Sequence, residues 1–116
     1  MKNFFLLGMP GSGKSTMAKY ISSVTKLKFL DLDDEIEKKE NRSINEIFNH
    51  ENENYFRNKE SEILKTIIKN ENHFVLSTGG GTPCFKNNLE VMNENGISIF
   101  LNTSISVLIE RIKRKD

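Results

Sequence analysis

The 116-residue sequence predicts an α/β fold, a parallel sheet with helices on both faces, and three observations carry that expectation. Short runs rich in Phe, Leu, Ile and Val recur along the chain, alternating with longer segments whose apolar residues fall at helical spacing. The first run leads straight into Gly8-Met9-Pro10-Gly11-Ser12-Gly13-Lys14-Ser15, a glycine-rich turn that works only between a buried strand and a helix. The third run leads into Gly79-Gly80-Gly81, again at the carboxyl end of a strand, where open α/β sheets bind their ligands.

Strand one is expected at Asn3 to Leu7. The helix after it, Lys14 to Thr25, carries Met17, Tyr20, Ile21 and Val24 on one face, which is expected to be core. Strand two, Lys28 to Leu32, runs into the acidic stretch Asp31-Leu32-Asp33-Asp34-Glu35, after which a short polar helix starts at Ile36. Ser43-Ile44-Asn45-Glu46 reads as a capping box, the serine and the glutamate each satisfying a free N–H of a new helix start. Ile44, Ile47 and Phe48 are expected to pack that helix down. A longer helix from Glu53 to Lys69 presents Phe56, Ile63, Leu64, Ile67 and Ile68. Strand three is His73 to Ser77, followed by a loop through Pro83. A helix near Asn87 to Asn95 is stopped by Gly96, and strand four is Ile97 to Leu101. Thr103 or Ser104 caps a last helix with Ile105, Leu108 and Ile112 inward. There is no internal repeat and no low-complexity segment.

Composition narrows the classes of function. A chain of this length with 36% hydrophobic residues has material for one domain with one core, expected to be residues 1–116. A formal net charge of +1 gives no electrostatic case for nucleic acid or an anionic membrane, so small-molecule partners are expected. Cys84 is the single cysteine, which excludes an internal disulfide and fits a reducing compartment. With neither a basic-then-apolar leader nor an apolar run of bilayer length, the expected location is the cytoplasm.

The turn after strand one is a complete G-x-x-x-x-G-K-S phosphate-binding loop. Glycines at 8, 11 and 13 let successive backbone N–H groups face phosphate oxygens, Lys14 can reach the β- and γ-phosphates, and the Ser15 hydroxyl can ligate Mg²⁺. The chain therefore reads as a binder of a nucleoside triphosphate. After strand two, Asp31 and Asp33 stand two residues apart, on the same side if the backbone stays extended; one could face Mg²⁺ and the other an acceptor hydroxyl. Asp34 and Glu35 read as acids placed on a helix N-terminus. The three glycines bring main chain close to a ligand. Arg57 offers a fork suited to a carboxylate, with Glu53 and Glu60 as local pairing partners, and spacing alone does not single it out.

Five segments in order, namely the phosphate loop, Phe29 to Glu37, Ser43 to Phe48, Tyr55 to Glu60 and Ser77 to Gly81, resemble shikimate kinase over nearly the whole chain. The resemblance implies a P-loop kinase fold of three layers, α/β/α, with four of the family's five parallel strands present. It implies transfer of a phosphoryl group from ATP, with Mg²⁺, to the shikimate 3-hydroxyl in aromatic amino-acid (chorismate) biosynthesis, by an enzyme working without an obligatory protein partner and as a monomer at full length. By resemblance Gly11, Ser12, Gly13, Lys14, Ser15 and Thr16 hold the phosphates, and Lys14 neutralises charge during transfer. Ser15 and, through water, Asp31 serve the Mg²⁺. Asp33 binds the shikimate hydroxyls and is the candidate base, Arg57 grips the carboxylate, and Gly79, Gly80 and Gly81 lie along the ring. The family continues into an arginine-bearing lid, a fifth strand and a second carboxylate-binding arginine, so the chain is expected to be truncated at the start of the lid, its own turnover in question. Arg111 and Arg114 are then ordinary helix C-terminal cations. Alternatives are another small-molecule P-loop kinase, for gluconate or a nucleoside monophosphate, and a nucleotide-binding module without catalysis.

Overall fold

A computed structural model of the chain describes residues 3–8 and 14–101. Four strands, β1 (Phe4–Gly8), β2 (Lys28–Asp31), β3 (Phe74–Ser77) and β4 (Ile97–Leu101), form one sheet in the order β2-β3-β1-β4. Every pairing is parallel, with Phe4 opposite Val75 and Ile97, and Phe29 opposite Val75. Parallel neighbours need crossovers, and helices supply them: α1 (Lys14–Thr25), α2 (Leu32–Glu40), α3 (Ile44–His50), α4 (Glu53–Asn70) and α5 (Asn88–Asn95). A single 3₁₀ turn, Thr82–Cys84, sits between β3 and α5.

Alternation along the strands divides the core into two. Phe5, Leu7, Phe74 and Leu76 face α2, α3, α4 and α5, where they meet Leu32, Ile36, Ile47, Phe56, Leu64 and Met92. Leu6 and Val75 point to the opposite side and pack with Ala18, Met17 and Ile21 of α1. The expected three-layer α/β/α arrangement is thus present, each fully buried Leu, Ile or Phe contributing about 1.5–3 kcal/mol.

The face of α1 differs from expectation. Ala18 is buried and Met17 and Ile21 half-buried, whereas Tyr20 and Val24 are 63% and 60% exposed. The small Ala18 lets the helix lie close to the sheet, which rolls the contact stripe away from Tyr20 and Val24. Phe48 is likewise 42% exposed, touching the Phe56 ring at a centroid distance of 4.7 Å, while Ile47 fills the core below α3. The helix expected beyond residue 102 lies outside the described residues.

Two polar clusters fix the scaffold. Asn3 is buried, its Oδ1 accepting from the His73 backbone N–H at 2.9 Å and its Nδ2 donating to the Asn95 carbonyl at 2.9 Å, so it ties together the starts of the central strands and the end of α5. The chain turns from α5 into β4 at Gly96, which has φ 173°, an extended value open to any residue. Glycine is required there by space: a Cβ would stand 2.4 Å from the Asn3 carbonyl oxygen. At the far end of α2, Arg42 donates through Nη2 to Glu40 Oε1 at 2.9 Å and to Glu51 Oε2 at 3.2 Å, and the Tyr55 hydroxyl donates to Glu40 Oε1 at 2.8 Å. Those donors hold the Glu40 carboxyl below its ordinary value of 4.5, Arg42 first and Tyr55 second. The predicted capping box at Ser43 and Glu46 is formed in full. Together these contacts lock α2, α3 and the first turn of α4 into one unit.

Candidate active site

All four strands run the same way, so Gly8, Asp31, Ser77 and Leu101 end on one edge of the sheet. The end of the site expected to bind phosphate begins at Gly8, whose φ of 155° is a conformation that side chains rarely adopt. Gly11, Ser12 and Gly13 lie outside the described residues; the backbone re-enters at Lys14 and Ser15, the first turn of α1, as the spacing predicts. No acidic residue stands in that turn, so its free N–H groups and the positive end of the helix dipole are left for an anion.

Asp31 and Asp33 do not share a side of an extended strand. β2 stops at Asp31, and α2 begins at Leu32 instead of Ile36, because the Asp31 side chain accepts from the Asp34 backbone N–H at 3.2 Å and so caps the helix. Asp31 thereby stays at the strand edge while Asp33 is carried round the first turn of α2 toward the glycine loop. A Cβ added to Gly79 would lie 3.8 Å from Asp33 Oδ1, 3.9 Å from Glu60 Oε2 and 3.4 Å from Thr82 Oγ1, so two carboxylates and a hydroxyl converge on that glycine. Thr78 anchors the loop, its backbone N–H and hydroxyl both donating to the Leu6 carbonyl, at 3.0 and 3.1 Å.

Arg57 approaches the same loop from α4. A Cβ on Gly81 would meet its Nη2 at 2.8 Å and its Nη1 at 3.2 Å, so this glycine makes room for the guanidinium. The backbone at Gly81, φ −90° and ψ −8°, is open to any residue. None of Gly79, Gly80 and Gly81 lies in the left-handed region; at Gly81 it is the bare Cα that makes room for the Arg57 guanidinium, whereas a Cβ on Gly79 would stand at ordinary contact distance from its neighbours. The expected local pairing of Arg57 is present in both directions: Nη1 donates to Glu60 Oε1 at 3.0 Å, and Nε stands 3.6 Å from Glu53 Oε1.

Thr82, Phe85 and Asn88 were not singled out from sequence, and Glu60 was named only as a pairing partner of Arg57. Glu60 is fully buried, and besides Arg57 it accepts from the Thr82 hydroxyl at 2.8 Å. Thr82 is held in turn by Asn88, whose Nδ2 donates to the Thr82 carbonyl at 2.9 Å. Phe85 lays its ring against the Arg57 guanidinium, 4.0 Å from Cζ to the ring centroid. The available signal for Glu60 was its place four residues after Phe56 and before Ile63 and Leu64, a carboxylate inside an apolar stripe. The arrangement is chemically specific: a nearly buried fork of donors at Gly81 and a carboxylate at Gly79, on one glycine turn at the strand ends.

A family model described as shikimate kinase matches residues 10–116. The chain belongs to the shikimate kinase family. A shikimate kinase of Azobacteroides pseudotrichonymphae is 41% identical over 112 residues, covering 97% of this chain. Among solved structures, the shikimate kinase of Bacteroides thetaiotaomicron superposes with a TM-score of 0.85 at 37% identity over 97% of this chain. The shikimate kinase of Acinetobacter baumannii, solved in complex with shikimate, does so with a TM-score of 0.85 at 33% identity over 99% of this chain. The chain spans 66% of the length of the first of these relatives and 63% and 64% of the two solved chains. Among the described residues, no helix is long and apolar enough to cross a membrane.

Proposed function

We propose that the chain forms a single P-loop domain that binds ATP and shikimate and serves phosphoryl transfer to the shikimate 3-hydroxyl, giving shikimate 3-phosphate and ADP. The observation that carries the reading is that one glycine loop gathers both groups, Asp33 beside Gly79 and Arg57 beside Gly81. An acceptor suited to those two groups has a carboxylate at one end and hydroxyls at the other, and the relative solved with shikimate supports the choice among such acids. A nucleoside monophosphate would call for several cations around its phosphate.

In the proposed reaction Asp33 accepts the proton of the acceptor hydroxyl as that oxygen attacks the γ-phosphorus; the bond from phosphorus to the β–γ bridging oxygen breaks and ADP leaves. Arg57 holds the carboxylate through charge-assisted hydrogen bonds and so fixes which hydroxyl is presented. Lys14 and the backbone of Gly11 to Thr16 hold the phosphates. Mg²⁺ fits the donors available: Asp31, at the strand edge and engaged by one cap bond at 3.2 Å, would join Ser15, directly or through water. When bound, the ion neutralises charge on the β- and γ-phosphates. The setting is cytoplasmic, and the full-length form a monomer with no nucleic-acid or membrane partner and no obligatory protein partner.

The test is ADP release by the full-length, lid-bearing form with ATP and Mg²⁺ in the presence of shikimate, gluconate or a nucleoside monophosphate, with Lys14→Ala as the control. Shikimate-dependent release that Lys14→Ala abolishes is expected. Release driven by either other acceptor and not by shikimate refutes the assignment.

A further inference from the structure

We infer that Phe85 is a positioning residue for the acceptor carboxylate, acting through Arg57, an inference that rests on the reading of Arg57 above. A guanidinium has freedom to rotate about its long stem, and a hydrogen bond from one nitrogen does not fix its plane. Here Glu60 takes Nη1 at 3.0 Å, and Nε, buried and without a hydrogen-bond partner among the described residues, has the Glu53 carboxylate only at 3.6 Å. The plane is set by rings: Phe85 lies 4.0 Å from Cζ and Phe56 5.2 Å. Phe85 is itself held in place. It is the residue that ends the 3₁₀ turn, its backbone extended at φ −120° and ψ 147°, and its carbonyl accepts from the Asn88 backbone N–H at 3.3 Å. The turn before it is closed by Thr82 N–H to the Gly79 carbonyl at 3.2 Å and Cys84 N–H to the Gly81 carbonyl at 3.0 Å. One short segment, Gly79 to Phe85, thus supplies both the cleared space at Gly81 and the aromatic wall that keeps the guanidinium in it.

An apolar wall has a second consequence. A ring face offers the guanidinium attraction without a counter-charge, so it orients the fork while leaving its donors available to an incoming carboxylate. A carboxylate at that position would compete with the substrate.

The experiment compares the unmodified chain with Phe85→Leu, Phe85→Tyr and Arg57→Lys. Leucine keeps the apolar bulk and removes the ring face; tyrosine keeps it. Shikimate dissociation constants are measured by calorimetric titration, and the Arg57 Nε–H resonance is followed by NMR, which reports ring stacking directly and moves little when a mutation merely loosens the fold. Phe85→Leu is expected to weaken shikimate binding about five- to tenfold, in the range of a partly desolvated cation–π contact, to shift the Arg57 resonance toward its free position and to leave ATP binding unchanged. Phe85→Tyr is expected to restore both. Unchanged shikimate affinity in Phe85→Leu, with Arg57→Lys weakened, overturns this inference alone; unchanged affinity in Arg57→Lys, or no shikimate uptake by the unmodified chain, overturns the acceptor reading on which it rests.

Discussion

Replacing Gly81 by Ala separates the fold from the site. The backbone at 81 has φ −90° and ψ −8°, which alanine adopts without strain, so the unfolded chain loses freedom and stability should hold or rise by about 0.4–1 kcal/mol. The added methyl, however, would sit 2.8 Å from Arg57 Nη2, 3.2 Å from Nη1 and 3.3 Å from Cζ. An unstrained contact needs roughly 3.4 Å or more, so the guanidinium must retreat by about 0.6 Å. It cannot do so at once without lengthening its 3.0 Å bond to Glu60 or tilting off the Phe85 ring. Since a misplacement of about 1 Å in a positioning group can cost about a hundredfold, the shikimate KM should rise roughly ten- to a hundredfold, with the ATP KM and the thermal midpoint nearly unchanged. The assay is steady-state ADP release against shikimate, paired with thermal unfolding. Combining Gly81→Ala with Arg57→Lys tells an effect through the arginine from a direct clash with substrate: the first predicts strongly non-additive losses, the second additive ones. An unchanged shikimate KM in the single variant refutes the placement of the acceptor at this fork.

Glu60→Ala removes a buried partner from the 17%-exposed Arg57 and leaves the Thr82 hydroxyl without its acceptor, so urea unfolding at neutral pH should show a loss of about 2–4 kcal/mol; a change under about 0.5 kcal/mol contradicts the buried network. Gly96→Ala sets a Cβ 2.4 Å from a backbone oxygen that no side-chain rotation can relieve, and should lower stability by more than about 2 kcal/mol although φ is ordinary; an unaltered unfolding midpoint contradicts the packing of Asn3 beneath α5. Because Glu40 is held below its ordinary value of 4.5 by Arg42 and Tyr55, its contribution is fully present above that value and is lost as pH falls through the lowered one. Glu40→Gln should accordingly be less stable than the unmodified chain at neutral pH, with the gap closing under acid; a gap independent of pH sinks that account.

The order and type of the described elements were legible from period, capping residues and glycine positions, because those signals are local. Ser43 and Glu46 form the box that their spacing implies, and Phe56, Ile63, Leu64 and Ile67 face the core as their helical period requires. What the sequence hid was tertiary. Which way α1 rolls depends on how closely Ala18 approaches the sheet, and Tyr20 and Val24 carry no local mark of their exposure. Asp31 shows both a strand ending and a cap, and only the bond to Asp34 decides that α2 starts at Leu32. Resemblance pointed to Asp33, Arg57 and the three glycines. Nothing about the spacing of Glu60, Thr82, Phe85 and Asn88 reveals that they meet, since they come from α4, the 3₁₀ turn and α5 and touch only once the chain has crossed over β3.

That cluster also bears on why Arg57 is built with a buried partner at all. Removing one member of a buried ion pair is costly, yet replacing the whole pair by well-packed apolar side chains is often neutral or stabilising, so Glu60 and Arg57 are a weak device for stability alone. Their value lies in direction. Glu60 is anchored at its second oxygen by Thr82, and Thr82 by Asn88, so the first oxygen has little freedom to follow Arg57. With Phe85 fixing the plane and Gly81 clearing the near side, the guanidinium has one orientation available. Asp33, in contrast, comes from α2, and its distance from Arg57 depends on the Glu40–Arg42–Tyr55 contacts that lock α2 to α4. Damage to that lock should therefore lower the turnover of a correctly bound acceptor, whereas damage to the Phe85 wall should chiefly weaken its binding.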